Sequence, residues 1–482
     1  MEPLTWTGPI GTYLGPLLPL AVIVFCVCAL GIMIGGLVTT PVRVGPDDAP
    51  RRRIGFSALT DLGLRWSFNA ILAIVAIYIL AGIVLPYGTG GIVGAVAAQF
   101  LPVWIALLVT FGLSIRFKRR LGLYGKLFDS TVGMVGFGLV MFWVFTALFT
   151  GVFGWIGTHD SLSAVSGLKN KVPGTPMPAA TEWAVGAHYL LGGDNLARDV
   201  FSRMVNGSWI VVQIAPMATL FSFMIGITLG LPAGFYGGRL DVFLSFLANL
   251  ILAFPVILLF YLLVTPEIVQ TGIPSIMAVV LFLFPIIFIG VLYYSRFYTQ
   301  PAKARPTLAV IVIVLGWLYL SVVSQSGTVL NFLPGAVDLF DVPSGILVVF
   351  VSVVFVNAPT VFRIVRGLTL DIKTRDYVAA AQTRGEGAWY IMLWEILPNA
   401  RGPLIVDFCL RIGYTTILLG TLGFFGLGLP PESPDWGSTI NAGRQLLSIY
   451  PHPALVPAVA LLTLVLGLNL LADGLREESL KD

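Results

Sequence analysis

The run "LLPLAVIVFCVCALGIMIGGLV", residues 17–38, contains no charged residue, and comparable runs recur along the whole chain. Backbone groups in hydrocarbon must bond within the protein, so such runs can only be helices or the strands of a closed barrel. Barrel strands alternate apolar and polar residues, and these do not. A hydrocarbon core about 30 Å thick takes roughly 20 residues per helix. On that rule eleven spans are predicted, at 14–38, 67–86, 92–115, 131–156, 209–234, 242–264, 275–294, 307–325, 343–361, 403–424 and 454–473. The expected fold is an all-α integral membrane protein. Composition agrees, since 57% of the 482 residues are hydrophobic and only 11% are charged, less than half the charged share of a soluble domain. The first run is expected to remain as a span. It lacks a basic leader, having only Glu2 before it, and is too long for a signal-peptide core.

The basic residues orient these spans. With the amino terminus outside, alternate loops on the inner side hold 22 of the 28 Lys and Arg. The opposite loops hold only Lys169, Lys171, Arg198, Arg203 and Arg444, while Arg411 falls within a predicted span. Short basic loops stay cytoplasmic, so the carboxyl terminus is expected inside. The net charge of +4 thus reflects topology, with lipid as the surrounding partner and no nucleic acid called for. Cys26, Cys28 and Cys409 lie in predicted spans without accompanying ligands, so neither a disulfide framework nor a metal site is expected.

One stretch breaks the apolar pattern. Residues 362–402, which include "DYVAAAQTRGEGAWYIMLWEILPN" at 376–399, carry ten charges. Burying them at about 2.5–3.5 kcal/mol each would cost well over 20 kcal/mol, so the segment stays in the cytoplasm. It is nevertheless patterned. Val378, Ala381, Trp389, Tyr390, Met392, Leu393 and Ile396 recur at helical intervals. A helix is expected from near Lys373 to Arg384, then a turn at Gly385 and Gly387, then a second helix from Ala388 to Leu397 ended by Pro398. Ala379, Ala380 and Ala381 leave room for another surface to approach closely. Two readings fit these residues: a docking helix for a partner, or an amphipathic helix lying on lipid through Trp389, Tyr390 and Trp394.

The segment resembles the EAA loop of ABC-importer permeases. Ala380-Ala381, three residues, Gly385 and then Ile396-Leu397-Pro398 fall at that spacing, with Ala379 where the family's acidic residue stands. Asp376-Tyr377-Val378 has the form usual in the dipeptide, oligopeptide and nickel group. Further blocks follow that group's order. "GGDNLARDVFSRMVNG" at 192–207 resembles its G-T-D-x-x-G-R-D-V-x-S-R-x-x-x-G element, departing at Gly193 and Ala197. "GFYGGRLDVFLSFLANLILAFP" at 234–255, "GLGLPPESPDWGSTINAGR" at 426–444 and "NLLADGLRE" at 469–477 resemble its later elements. The chain is identified as similar to the C-type permease subunit of such an importer in a prokaryotic inner membrane.

The resemblance implies a six-helix permease core within 131–480, preceded by three additional helices in 1–130 and interrupted by a helical hairpin at about 266–342. It also implies a second permease, two ABC ATPases that carry ATP and Mg, and an external substrate-binding protein, with peptides or related small solutes as cargo. In keeping with this, the chain has no phosphate-binding G-x-x-x-x-G-K-[ST] loop, because Gly122 to Lys126 is too short for one. It is expected to be non-catalytic and to bind no cofactor. The residues implied for ATPase coupling are Asp376, Tyr377, Ala380, Ala381, Arg384, Gly385, Glu386 and Pro398. Asp194, Arg198, Asp199 and Arg203 read as an external surface helix capped near Asp194, which meets the binding protein, folds over the mouth of the pathway or simply packs at an interface. Asp407 and Arg411, four apart in one span, can face each other; an ion pair near a helix end is preferred to a path-lining role. The rival class, an ion-coupled secondary transporter, would want carboxylates deep in several spans, and apart from Asp473 at the very end of the last one, Asp407 is the only candidate.

Overall fold

A computed structural model describes residues 2–38, 56–180, 185–324, 344–427, 429–430 and 432–479, so the part of the expected hairpin at 325–342 lies outside the described residues. The described residues are mostly helical. Its longer helices are α1 Leu17–Val38, α2 Phe56–Val84, α3 Gly91–Gln99, α4 Leu101–Phe117, α5 Thr131–Gly151, α6 Val200–Tyr236, α7 Gly238–Leu252 and α8 Val256–Val264. There follow α9 Ile273–Leu281, α10 Leu283–Phe297, α11 Pro301–Val323, α12 Ser344–Ile372 and α13 Asp376–Thr383. Next comes α14 over 388–399, then α15 Arg401–Phe424, α16 Trp436–Arg444 and α17 His452–Ser479. Among the described residues, ten helices are long and apolar enough to cross a membrane, and an eleventh span arises if α7 and α8, bent by 81°, count as one. The bend falls just before α8, where Pro255 supplies no backbone N–H.

Compactness divides the chain into two units, residues 1–104 with 156–202, and residues 105–155 with 203–482. No unit boundary falls at residue 130. In the first unit, α2 and α3 touch backbone to backbone: a Cβ on Gly82 would collide with the Gly94 carbonyl. The amino-terminal residues are tied down by Leu4 N donating to Gly174 O at 2.9 Å and Ile92 N donating to Thr5 O at 3.0 Å. Between α5 and α6 the chain forms a small antiparallel pair, β1 Thr175–Pro176 and β2 His188–Tyr189, with Thr175 opposite Tyr189.

In the second unit, helices again close through small residues, as apolar helices in lipid must when no hydrophobic gain separates protein from tail. Gly226, Gly230 and Gly234 form a stripe on α6 at four-residue spacing. Cβ atoms there would lie 2.5, 2.9 and 2.6 Å from side-chain atoms of Val361, Val365 and Thr369 on α12. Helix α12 has 29 residues, a rise of about 43 Å, which exceeds a hydrocarbon core of about 30 Å. It runs past the end predicted at 361, and its last turns carry Arg363, Arg366 and Asp371.

Candidate functional site

The end of α12 is fastened by charge. Arg366 grips Asp241 of α7 through two hydrogen bonds, the one from Nη2 to Oδ2 being 2.6 Å. Arg363 donates to Asn249 Oδ1 at 2.6 Å. Lys373 Nζ donates to the Gly234 carbonyl at 2.7 Å, so a cation sits where the last carbonyls of α6 lack intrahelical donors. The turn between α6 and α7 is thus locked to the base of the charged segment.

From that base the chain turns at 373–375 and enters α13, three residues later than the start expected near Lys373. Its end is a Schellman cap. Glu386 N donates to Ala381 O at 3.3 Å, and Gly385 N donates to Gln382 O at 3.0 Å. Gly385 has φ +77°, a left-handed conformation that a side chain would strain. Arg384 then bridges to the second arm, its Nη2 reaching Glu395 Oε1 at 3.0 Å.

Helix α14 opens as an α-turn at Ala388–Tyr390, widens to a π-helical stretch over Ile391–Ile396, and closes at Leu397–Asn399. Pro398 explains the widening: it has no N–H, and its ring would crowd the Trp394 carbonyl in an ordinary turn.

Both arms bury one face. Val378 and Ala381 join Ile391, Met392, Leu393 and Ile396 in a core shared with Phe223 and Leu231 of α6, Val361 and Val365 of α12, and Leu404 of α15. At about 1.5–3 kcal/mol for each large apolar side chain buried, the apolar face goes into protein, and lipid contact is not what organises it. Asp376, Tyr377, Ala379, Ala380, Gln382, Thr383 and Arg384 are exposed. One expectation changes accordingly. Ala381, 0% exposed, is internal packing, so of the alanine pair only Ala380 lies on the open face.

The 192–207 element also departs from its expected form. Asp194, Arg198, Asp199 and Arg203 are at most 5% exposed and are therefore not a solvated surface. Asp194 does not cap a helix. Its Oδ1 accepts from the backbone N of Leu196 and of Arg198, both at 2.8 Å, and its Oδ2 accepts from Arg198 Nε at 2.7 Å. The chain makes a loop here because Ala197 takes φ +61°, a left-handed conformation that defeats the helical reading of the Asp194-to-Arg198 spacing. The cap is Asp199, which accepts from Phe201 N and Ser202 N at 3.2 Å each as α6 begins. Asp199 Oδ2 also takes bonds from Thr158 Oγ1 at 2.9 Å and Ser202 Oγ at 2.6 Å, and faces His159 Nδ1 at 3.2 Å. His159 Nε2 lies 2.8 Å from the Gly186 carbonyl. Burial pulls the His159 pKa down, but the Asp199 hydrogen bond and charge, with the Gly186 carbonyl, outweigh it and hold the ring above its usual value. Arg203 belongs to the second unit, where it donates to Ser433 O at 2.8 Å and Thr439 Oγ1 at 3.1 Å.

Asp407 and Arg411 meet on α15 as a two-bond pair. Arg411 Nε donates at 2.7 Å and Nη2 at 3.3 Å, with Arg411 7% exposed. No group of three or more potential metal ligands occurs among the described residues. The cluster of half-buried His159 and buried Asp199 was missed in the sequence, since forty residues separate its two ends and no local spacing signals it.

Residues 294–477 match the family of binding-protein-dependent transport system inner membrane components. The glutathione transport system permease protein GsiD of Pectobacterium atrosepticum is 30% identical over 291 residues, covering 60% of this chain and 71% of that protein. The dipeptide transport system permease protein DppC of Haemophilus influenzae is 28% identical over 297 residues, 61% of this chain and 75% of its own. DppC of Alkalihalophilus pseudofirmus is 25% identical over 354 residues, 73% of this chain and 87% of its own.

Proposed function

The chain belongs to the inner-membrane permeases of dipeptide- and oligopeptide-type ABC importers, and from that premise we propose that α13 is its ATPase-coupling helix. As a permease of this family it is a non-catalytic, multi-pass membrane subunit that works with ATPases and a binding protein. That membership also decides against an ion-coupled secondary transporter.

In the finer reading, the chain pairs with a second permease of related fold, two ABC ATPases supply ATP and Mg, and the binding protein delivers cargo from outside. The amino terminus lies outside and the carboxyl terminus in the cytoplasm, on the strength of the basic loops. Six helices within 131–480 form the core. Peptides or small peptide-like solutes are the cargo, in line with the glutathione and dipeptide systems of the relatives.

The single observation that carries the coupling reading is the two-faced segment 376–399. Its inner face is built into the cores of α6, α12 and α15, while Tyr377, Ala380 and Arg384 stand open at its tip. A partner that moves this tip moves α12 and α15 with it. Coupling of that kind needs two states with different contacts, and closure of the ATPases on nucleotide supplies them.

The test is Ala380→Glu in the reconstituted complex. Hydrolysis stimulated by loaded binding protein is expected to fall to the unstimulated level, because a carboxylate enters a contact built for a methyl group. Full stimulation in that variant would remove the coupling role.

A further inference from the structure

The hairpin expected at 266–342 lies between the quoted blocks 234–255 and 376–399, with the family match beginning inside it at residue 294, and α10, one of its helices, is joined to the proposed coupling segment at several points. Phe288, Val291 and Leu292 of α10 pack on the cluster that contains Leu393, with Trp389 and Trp394 beside them. Three side chains from the last turn of α10 and the residue after it then reach the same two arms. Ser295 Oγ accepts from Trp394 Nε1 at 3.0 Å. The Arg296 guanidinium stands 4.6 Å from the centre of the Trp394 ring. Tyr298 donates to Glu386 Oε2 at 3.0 Å, and its ring meets Tyr390 at 6.4 Å between centroids.

A helix added only to seal against lipid needs the apolar contacts. It has no need to direct Ser295, Arg296 and Tyr298 at one target. A partly buried indole N–H needs an acceptor, and Ser295, itself 3% exposed, is placed to be one. The guanidinium lies on the other available face of the same indole chemistry, its ring. Trp394 sits in the π-helical stretch, so these contacts land where α14 departs from regular geometry.

We propose that this hairpin is a brace for the coupling segment. Ser295, Arg296 and Tyr298 are positioning residues that fix α14 and the Glu386 turn to α10, so the segment and the hairpin move as one body. This rests on the coupling role of α13. Without the brace, a push on α13 is partly absorbed by tilting of α14 instead of reaching α12 and α15.

The experiment uses the full complex in liposomes, with substrate moved per ATP hydrolysed as the readout, and assembly and unstimulated hydrolysis measured on the same preparations. The triple variant Ser295→Ala, Arg296→Gln, Tyr298→Phe is expected to lower that ratio about fivefold, the lower end of common coupling strengths. Ser295→Thr, which keeps the hydroxyl, is expected to hold the parent ratio. Should the triple variant fail to assemble, Arg296→Gln with Tyr298→Phe decides, because both side chains are exposed. An unchanged ratio overturns the brace. Ala380→Glu separates the two ideas: if it abolishes stimulation while the triple variant transports normally, the brace alone falls, and if it too is silent, the coupling helix falls and takes the brace with it.

Discussion

Gly230→Val places two methyl groups and a Cβ where α6 and α12 are in contact. A Cβ at this position would lie 2.9 Å from Val365 Cβ, 3.0 Å from Val365 Cγ1 and 3.0 Å from the Phe362 carbonyl oxygen. Carbon pairs are comfortable at about 3.5–4.0 Å, so the helices must part by roughly half an ångström or more. The obstacle includes backbone, which cannot rotate away. Forcing methyl groups into a packed contact costs about 1–3 kcal/mol, while replacing glycine by valine inside a helix returns only about 0.4 kcal/mol. The expected net loss is about 2 kcal/mol, a factor of roughly 30 in the folded-to-unfolded ratio. Gly316→Val in α11 is the control, because a Cβ there meets nothing within 4 Å. Thermal unfolding of the two purified variants in the same detergent gives the comparison. Gly230→Val should melt clearly below the parent and Gly316→Val close to it. Equal midpoints would refute close backbone approach as the joint between α6 and the helix that carries the coupling segment.

At the α15 pair, Asp407→Asn alone leaves Arg411 7% exposed and without its carboxylate partner, an expected loss of about 3–5 kcal/mol. The double variant Asp407→Asn with Arg411→Gln is instead expected to leave transport largely intact, which uptake assays on both variants can decide. Ala197→Val forces a β-branched residue into φ +61°, so limited proteolysis should cut the 156–199 loop faster than in the parent, by a factor that grows with a strain of about 1–3 kcal/mol. His159 titrates above its usual value when folded, so its contribution is complete below about pH 6.5 and is lost as pH rises through the folded pKa. Amide exchange in the same loop should therefore be better protected at pH 6 than at pH 8.5 once corrected for intrinsic rates, and His159→Gln should flatten the difference.

The sequence made the spans legible because hydrocarbon imposes a length and forbids charge, and both are visible without any neighbour in view. The charged segment was legible for the converse reason: ten charges cannot enter lipid, and glycine at 385 announces a left-handed turn. What could not be read was which residues look inward. Ala380 and Ala381 are identical in chemistry, and only packing against α6, α12 and α14 makes one of them core. The Asp194 element misled because its four-residue spacing to Arg198 fits a helix as well as it fits a loop, and the left-handed Ala197 breaks the tie.

The same reasoning bears on the helical hairpin that holds α10 and α11. Its apolar composition marked it as a pair of spans and nothing more, since lipid-facing and protein-facing leucines look alike in sequence. Its polar residues carry the information, because a polar group near hydrocarbon persists where it finds a partner. Ser295, Arg296 and Tyr298 find theirs on Trp394 and Glu386, at the opposite end of a long separation along the chain. Had the hairpin been a lipid seal, substitution of these three by apolar residues would be neutral in transport, whereas a brace makes their loss visible in the number of substrates moved per ATP while assembly is retained.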